Sequence, residues 1–285
     1  MKSLSDPSEG DGLRNEPWAA HAQHWSRLGP PLRPALEDLR RLRTAWLNSL
    51  TREGLPARRV EILSLGVTPE IANFGWAEDC FLTAADASEV MIRAVWPGDG
   101  PNRRAVQASW IELPFADGTF DLIVSDGGLV PLAAPGQLAA LGRELRRVLR
   151  PAGRVVMRHF IRPVPAESPA DLVCAIAAGT IRGFHELKLR LVMALAQTPT
   201  GVRLADVWEW FQQLFPDREA LAARLGCQLE IIATIDAYRD CEARYVFPGL
   251  AELAQTFARF SLAVGPAGHY PFAPCCPVFC LTPQP

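Results

Sequence analysis

One glycine and one aspartate stand at a spacing that suits a ligand containing a ribose. Residues 61–70, EILSLGVTPE, predict a strand, a tight loop at Gly66 and a helix that Thr68 caps. Asp86 follows Gly66 by 20 residues, after a second apolar run, where its carboxylate can accept hydrogen bonds from both ribose hydroxyls. Its alternative role is a plain helix N-cap. The single glycine excludes the GxGxxG fingerprint of dinucleotide binding, and a P-loop motif is absent.

Two longer motifs follow in order along the chain. Residues 113–121 are LPFADGTFD, and residues 144–153 are ELRRVLRPAG. Together with the glycine loop and the acidic end of the second strand, they resemble the class I S-adenosylmethionine-dependent methyltransferases across residues 58–160. The resemblance implies a seven-stranded sheet that binds S-adenosylmethionine across the ends of its first four strands. It also implies transfer of the methyl group to a small-molecule acceptor by in-line displacement.

The resemblance assigns roles to individual residues along this edge. The loop formed by Gly66, Val67 and Thr68 would approach the methionine part of the cofactor, and Arg33 could meet its carboxylate. Asp86 would hold the ribose. Asp126 is a further implied contact, and its alternative role is to begin a glycine-rich turn. The other implied cofactor contacts are Ala87, Met91, Ser109, Trp110, Asp126 and Gly127.

Four positions depart from the family pattern. Family members usually carry an acid where Ser64 stands, further glycines where Thr68 and Glu70 stand, and an acid where Ser109 stands. S-adenosylmethionine has no pyrophosphate, so its loop needs fewer glycines than a dinucleotide site. The departures nevertheless leave an alternative open, a non-catalytic binding or partner protein with a degenerate cofactor site.

Two histidines are candidates for a base that removes a proton from the acceptor. His159 ends the fifth predicted strand, and His185 lies in a long helical stretch. The alternatives are structural: His159 as a satisfied buried histidine, and His185 and Lys188 as exposed polar positions of an amphipathic helix. The sequence leaves the role of Tyr245 undetermined. An Asn/Asp-Pro-Pro-Tyr motif after the fourth strand would favour methylation of amino groups on DNA bases. Residues 126–129, DGGL, occupy that place instead, so methylation of DNA is not expected.

The elements that position these residues alternate between short apolar runs and helical stretches from residue 60 to residue 160, which predicts βαβ units. Right-handed crossovers would wind them into an α/β, doubly wound, Rossmann-like sheet of seven mostly parallel strands, with N-terminal helices and a helical insertion. Residues 228–234 and 277–281 predict two closing strands. The expected divisions are a disordered tail at 1–17, a helical cap at 18–57, the cofactor-binding core at 58–162, a helical lid that binds the acceptor at 163–225 and the closing strands at 226–285.

The composition predicts a soluble globular protein. Of the 285 residues 49% are hydrophobic and the net charge is -2, which excludes global disorder and a broad basic field for nucleic acid. The polar residues 1–17 do not form a signal peptide, and no run reaches the roughly 18 apolar residues that span a bilayer. We expect a cytoplasmic protein with a small-molecule partner and no membrane or nucleic-acid partner. The oligomeric state stays open, a homodimer included.

The cysteines do not predict a disulfide framework or a metal site. Seven cysteines are scattered through the chain, and Cys275, Cys276 and Cys280 lack a paired zinc-ligand spacing. We expect buried structural thiols and no metal.

Overall fold

A computed structural model describes residues 18–49 and 58–284. The predicted tail at 1–17 and the end of the predicted cap at 50–57 lie outside these ranges. Within them the strands are β1 Val60–Leu65, β2 Cys80–Asp86, β3 Arg103–Gln107, β4 Phe120–Asp126, β5 Leu149–Arg158, β6 Val202–Arg203, β7 Arg244–Tyr245, β8 Phe260–Val264 and β9 Val278–Pro283.

Seven of these strands form one sheet in the order β3-β2-β1-β4-β5-β9-β8, and β6 pairs with β7 separately. Strands β1 to β5 are mutually parallel, whereas β9 runs antiparallel to β5 and β8 antiparallel to β9. The predicted α/β sheet of seven mostly parallel strands is therefore confirmed. The strand order reverses beside β1, and in open parallel sheets a ligand binds at the carboxyl ends of the strands at such a point.

Helices cover both faces of the sheet and form a further layer beside it. Those before and within the sheet are α1 Ala19–His24, α2 Leu36–Ser49, α3 Pro69–Ala72, α4 Glu89–Val95 and α5 Gln137–Val148. Those of the following segment are α6 Pro169–Ala177, α7 Phe184–Leu195, α8 Leu204–Leu214, α9 Arg218–Leu225, α10 Leu229–Ile232 and α11 Leu250–Thr256. Short 3-10 helices occupy Trp25–Arg27, Ala233–Tyr238 and Ala273–Cys275.

Buried apolar residues on one side of a helix pack against each face of the sheet. In α5, Leu141 and Leu145 are fully buried and pack with Leu63 of β1 on one face. In α2, Leu42 and Trp46 are buried against the strands on the other face. Full burial of each such side chain contributes about 1.5 to 3 kcal/mol, and a parallel sheet with two covered faces needs apolar residues on both.

The helical layer departs from the sequence prediction in two places. The predicted strand at 228–234 is wrong, because α10 and the 3-10 helix at Ala233–Tyr238 occupy this segment. Its buried residues Ile232, Ile235 and Tyr238 recur every third position, so packing against the other helices overrides the β preference of this isoleucine-rich run. The long helical stretch predicted around His185, at 172–196 within the lid, is divided into α6 and α7, with Gly179 in the left-handed region between them at φ +70°.

None of the helices within the described ranges is both long and apolar enough to cross a membrane.

Candidate functional site

A cavity of about 400 Å³ opens at the carboxyl ends of β1 to β4, a volume within the range of small-molecule sites. The end of β1 contributes Gly66, Val67 and Thr68 to its wall. The segments after the next three strands contribute Asp86, Ala87, Met91, Ser109, Trp110 and Asp126, and Gly127 follows. Ten of the eleven residues assigned to the cofactor from the sequence therefore border one space.

The loop after β1 is held by its own backbone. Gly66 has φ +95°, its N–H donates to the Ala85 carbonyl at 2.8 Å, and its carbonyl accepts from Ser64 Oγ at 2.9 Å. A Cβ at this position would point between the Trp110 ring at 3.7 Å and Asp86 Oδ2 at 4.0 Å. Glycine thus keeps open the space between the first two loops. Thr68 precedes α3 as predicted, but its side chain makes no capping hydrogen bond.

Asp86 stands at the end of β2 and turns the chain toward α4. Its Oδ1 accepts from the Ser88 N–H at 2.9 Å, while the Ser88 hydroxyl accepts from the Met91 N–H at 3.1 Å as the helix N-cap. The plain N-cap role therefore belongs to Ser88. The Asp86 carboxylate borders the cavity, where a ligand can also donate to it.

Trp110 closes the cavity beside these two loops. Its indole Nε1 donates to the Ala85 carbonyl at 2.7 Å, which fixes the ring against the end of β2. Glycines follow β4, and a Cβ at Gly128 would lie 3.3 Å from the Trp110 ring, while one at Gly127 would lie 2.8 Å from Phe160. Gly127 needs to be glycine because the Phe160 ring packs on its backbone, and Gly128 because a Cβ there would also collide with the Ser125 hydroxyl oxygen.

Asp126 borders the cavity but is bound from behind by a buried arginine. Arg158 of β5 donates to both of its carboxylate oxygens, through Nε and through Nη2, the latter at 2.9 Å. Burial would lower the pKa of Arg158, but the Asp126 carboxylate outweighs it and the pKa is raised. Burial raises the pKa of Asp126 and Arg158 opposes that shift, while the two hydrogen bonds orient the carboxylate at the cavity wall.

The opposite end of the cavity comes from the helical layer and from α1. Lys188, Leu189 and Val192 project from α7 into the wall. The other side chains at this end that bear on the chemistry are His21, Tyr238, Tyr245 and Phe247. His21 and Tyr238 have ring centres 5.5 Å apart, and Tyr245 Oη lies 3.5 Å from His21 Nε2.

Neither predicted catalytic histidine lies on the cavity wall. His159 is fully buried, and its Nε2 lies 3.2 Å from the Pro248 carbonyl. Burial lowers its pKa to about 4. The His185 ring packs against Gly29, and burial lowers its pKa to about 4 as well. The structure does not support the assignment of either ring as the base, because neither is among the side chains that border the cavity.

Arg33 is also displaced from its predicted role. Its guanidinium donates to Glu70 Oε1 at 2.7 Å and to the Trp25 carbonyl at 3.0 Å, and it stacks on the Trp25 ring at 5.4 Å. It does not border the cavity. Arg33 instead ties the N-terminal segment to α3, because its hydrogen-bonding groups face protein acceptors.

The sequence did not identify the polar residues at the opposite end of the cavity, which the helical layer and α1 form. Lys188 is 2% exposed, so the alternative of an exposed helical position is wrong for it. The available signal was its setting, HELKLRL, in which leucines flank the lysine on both sides. His21 and Tyr245 carried no such signal, because their partners come from remote segments.

The comparisons with known proteins agree with this geometry. Residues 64–157 match a family profile described as a methyltransferase domain. A demethylmenaquinone methyltransferase from Mycolicibacterium vanbaalenii is 37% identical over 187 residues, which cover 61% of this chain and 70% of the relative. The corresponding enzyme from Corynebacterium urealyticum is 35% identical over 112 residues, 38% of this chain and only 44% of the relative's length.

Two solved structures show the same fold at low identity. A structure from Rhodobacter sphaeroides described as a putative zinc-dependent alcohol dehydrogenase has a TM-score of 0.58 at 14% identity, covering 96% of this chain and 98% of the other. The Burkholderia thailandensis 1,6-didemethyltoxoflavin-N1-methyltransferase, bound to 1,6-didemethyltoxoflavin and S-adenosylhomocysteine, has a TM-score of 0.51 at 14% identity, covering 100% and 93%.

Proposed function

This chain belongs to the class I S-adenosylmethionine-dependent methyltransferases, and from that premise we propose that it methylates a small, flat and mainly apolar acceptor of the hydroquinone type. It is an enzyme that uses S-adenosylmethionine. The observation that carries the proposal is the shared cavity. Loops from four parallel strands border one end, and aromatic side chains with one lysine border the other, so that a methyl donor and an acceptor can meet in one cavity.

The cofactor assignments follow the chemistry of the residues at the sheet end. Asp86 is assigned to the ribose, because its carboxylate borders the cavity where two hydroxyls can donate to it. The open space beside Gly66 fits a ligand that approaches the backbone closely. The further assignments are Gly66, Val67 and Thr68 for the methionine part, Ala87, Met91, Ser109 and Trp110 for the adenosine, and Asp126 and Gly127 for the region of the sulfonium.

Two of the four departures from the family pattern, Ser64 and Glu70, bond to other parts of the protein. The hydroxyl of Ser64 bonds to the Gly66 carbonyl, and Glu70 forms its ion pair with Arg33. Neither side chain borders the cavity or fills it. These contacts argue against the alternative of a retired cofactor site, because they shape the loop around an open space.

The protein contributes position and exclusion of water to the reaction. S-adenosylmethionine supplies an activated methyl group when it is bound. Trp110 and the glycines after β4 fix the donor end, while Leu189, Val192 and Phe247 shield the acceptor end with apolar surface. Alignment of the two reactants in such a site accounts for much of the rate that enzymes of this kind achieve.

The hydroquinone class of acceptor is supported by two observations. Two relatives whose matches cover 61% and 63% of this chain are named demethylmenaquinone methyltransferases. The acceptor end of the cavity is bordered by the rings of Tyr238, Tyr245 and Phe247, and aromatic rings prefer to pack with other flat rings. An aromatic acceptor with hydroxyl groups fits both.

Calorimetry with S-adenosylhomocysteine, followed by a methylation assay, tests the proposal. We expect the wild-type protein to bind S-adenosylhomocysteine and to transfer a radiolabelled methyl group from S-adenosylmethionine to 1,4-dihydroxynaphthalene kept reduced. Absence of binding at millimolar concentration would refute the use of this cofactor. Binding without any transfer to the hydroquinone would refute the acceptor class alone.

A variant pair tests the ribose assignment. Asp86→Ala removes a charged acceptor of hydrogen bonds, so S-adenosylhomocysteine should bind at least about tenfold more weakly. Asp206→Ala is the matched control, because that carboxylate pairs with Arg203 on the surface, away from the cavity wall. Equal affinity of the two variants would contradict the role of Asp86.

A further inference from the structure

The acceptor end of the cavity contains a buried amine. Lys188 is 2% exposed and borders the cavity from α7. Its Nζ donates to the Thr234 carbonyl at 2.7 Å and lies 4.2 Å from the centre of the Tyr238 ring. An ammonium has three hydrogens to donate, and these two contacts leave one for a molecule in the cavity.

No carboxylate neutralises this amine within the described ranges. Among residues 18–49 and 58–284, Lys188 forms no ion pair within 4.0 Å. The acid that acts on it from a distance, Asp236, is already bound by Arg218 at 2.7 and 2.8 Å and by the Trp208 indole at 2.8 Å. An uncompensated buried cation is unfavourable, so the site favours either a neutral amine or an anionic ligand.

The charged neighbours of Lys188 give the same result. Burial lowers its pKa to about 7, and the Asp236 carboxylate opposes this only in part. His24 and His185 also feel the charge of Lys188, which lowers the pKa of each ring after the larger effect of burial. The π face of Tyr238, whose centre lies 4.2 Å from Nζ, favours the charged amine. The amine is thus balanced between its two protonation states near neutral pH.

The choice of lysine here stands out against the rest of the sequence. The chain contains 27 arginines and two lysines, Lys2 and Lys188. A guanidinium stays charged at any physiological pH, whereas a buried amine can release its proton. The basic side chain buried at the cavity is therefore a lysine, which can release and accept a proton, and not one of the many arginines, which cannot.

We propose that the Lys188 amine takes the proton of an acidic hydroxyl, a phenol or an enol, on the acceptor and then holds the resulting oxyanion. This inference rests on the proposed function of the cavity. The O–H bond breaks, its electron pair stays on the acceptor, and the proton forms an N–H bond at Nζ. The electron-rich acceptor then forms the bond to the methyl carbon, the pair of the broken carbon–sulfur bond stays on sulfur, and one proton is released to water as the amine recovers.

The aromatic residues around Lys188 would orient such a hydroxyl. Tyr238 packs under the amine, and His21 and Tyr245 meet beside it. A flat ring that enters from the cofactor end can pack against these side chains and direct its oxygen to Nζ. The pair of ammonium and oxyanion also removes the unfavourable isolated charge, so acceptor binding and proton transfer support each other.

Isotope labelling of lysine tests the inference directly. Because the chain has two lysines, protein grown with [6-13C]lysine gives two Cε signals, and Lys188→Met assigns one of them by its loss. With S-adenosylhomocysteine present, we expect the Lys188 signal to titrate near pH 7. Addition of 1-naphthol, which lacks the second hydroxyl of a hydroquinone, should raise that midpoint by at least about one pH unit, because the phenolate favours the ammonium. The Lys2 signal is the internal control.

A midpoint above about pH 9.5, or one that 1-naphthol leaves unchanged, would overturn the inference. The ultraviolet spectrum of 1-naphthol gives a second, independent measurement. Its bound form should ionise at lower pH in the wild-type protein and not in Lys188→Met, which keeps the length of the side chain, while the affinity for S-adenosylhomocysteine stays within about twofold. Equal ionisation in both proteins would assign Lys188 only the structural bond to Thr234.

The two proposals fail in different ways. Failure of the wild-type protein to bind S-adenosylhomocysteine refutes the proposed function, whatever Lys188 does. Binding of S-adenosylhomocysteine together with a Lys188 signal insensitive to 1-naphthol refutes the proton transfer and leaves the methyltransferase site intact.

Discussion

Arg158 and Lys188 are both buried basic residues, but their surroundings differ in whether they supply a carboxylate. Arg158 meets two carboxylates, Asp126 and Asp38, which keep its charge. Lys188 meets a backbone carbonyl and a ring but no carboxylate at contact distance in the described ranges. Since a buried ion is stable only with a partner, Arg158 is a fixed structural charge, whereas the protonation of Lys188 depends on what the cavity contains.

At the residue scale, His159 should affect stability at acid pH rather than catalysis. Burial lowers its pKa to about 4 in the folded protein, while the unfolded chain titrates near 6.5. Between these values the unfolded state binds more protons, so stability falls as the pH falls, by up to about 1.4 kcal/mol per unit. His159→Gln removes this loss. The free energy of unfolding of wild type relative to the variant, measured by urea titration, should fall by about 1 to 2 kcal/mol from pH 6.5 to 5.

The same pair of proteins contains its own control. From pH 7.5 to 8.5 the imidazole is neutral in both states, so the difference between wild type and His159→Gln should be constant there. A difference that is also constant below pH 6.5 would show that the ring is accessible to protons in the folded protein.

At the scale of elements, the short β6–β7 pair positions one wall of the cavity. Val202 of β6 pairs with Tyr245 of β7, directly after Gly201. Gly201 has φ +67°, and a Cβ there would collide with the Tyr245 carbonyl and lie 2.8 Å from a methyl of Val246. A glycine is required at this position because the backbone that carries Tyr245 passes directly over it.

Gly201→Ala should therefore change the acceptor end and leave the cofactor end unaltered. We expect loss of stability by several kcal/mol, from the left-handed φ and from the backbone collision. Binding of 1-naphthol should weaken at least fivefold, while the affinity for S-adenosylhomocysteine stays within about twofold, both read by calorimetry below the melting temperature.

Gly226→Ala is the matched control for this variant. Gly226 has φ +61°, but a Cβ there meets open space. Its cost should be limited to the strain of the left-handed conformation, about 1 to 2 kcal/mol, with normal binding of both ligands. Equal effects of the two substitutions would argue against the role of the β6–β7 pair.

At the scale of the whole molecule, Arg158 joins segments that are far apart in the chain. Its guanidinium donates to Asp126 at the end of β4, to the Pro31 carbonyl at 2.9 Å and to Asp38 of α2 at 3.3 Å. Tyr270 donates in turn to Asp38 at 2.8 Å. The N-terminal segment, the sheet and the chain before β9 thus share one buried polar network around the cavity wall.

Arg158→Met should be among the most destabilising substitutions in the chain. It leaves Asp126 buried without its cation and leaves Asp38 with Arg41 alone as its cation, and removal of one partner of a buried ion pair costs about 3 to 5 kcal/mol. Arg93→Met is the control, since Arg93 pairs with Glu89 on an exposed helix face and its loss should cost less than about 1 kcal/mol. Chemical denaturation measures both, and a small loss for Arg158→Met would contradict the network as a structural link.

The elements of the cofactor end could be predicted because their determinants are local. Glu144 accepts from the Leu113 N–H at 2.8 Å, and Arg147 donates to the Leu113 and Phe115 carbonyls at 2.8 and 2.6 Å. These contacts join the two motifs on which the family resemblance depends, so the residue types in each motif are determined by the contacts with the other. The glycine at position 66 is likewise determined by the backbone conformation there.

The acceptor end could not be predicted in the same way. Lys188, Tyr245 and His21 come from α7, β7 and α1, and their meeting depends on how the helical layer packs on the sheet. His159 and His185 had suitable chemistry and suitable positions in sequence, but packing directs both rings away from the cavity.

The sequence by itself determined the parallel sheet, the loops at its carboxyl edge and the family, because periodicity and short motifs report local conformation. Only the tertiary structure decided which polar groups share the cavity and which of them lack a counterion. Hydrophobic spacing shows that a helix face is buried but not what it is buried against, and the protonation of a buried group depends on those neighbours.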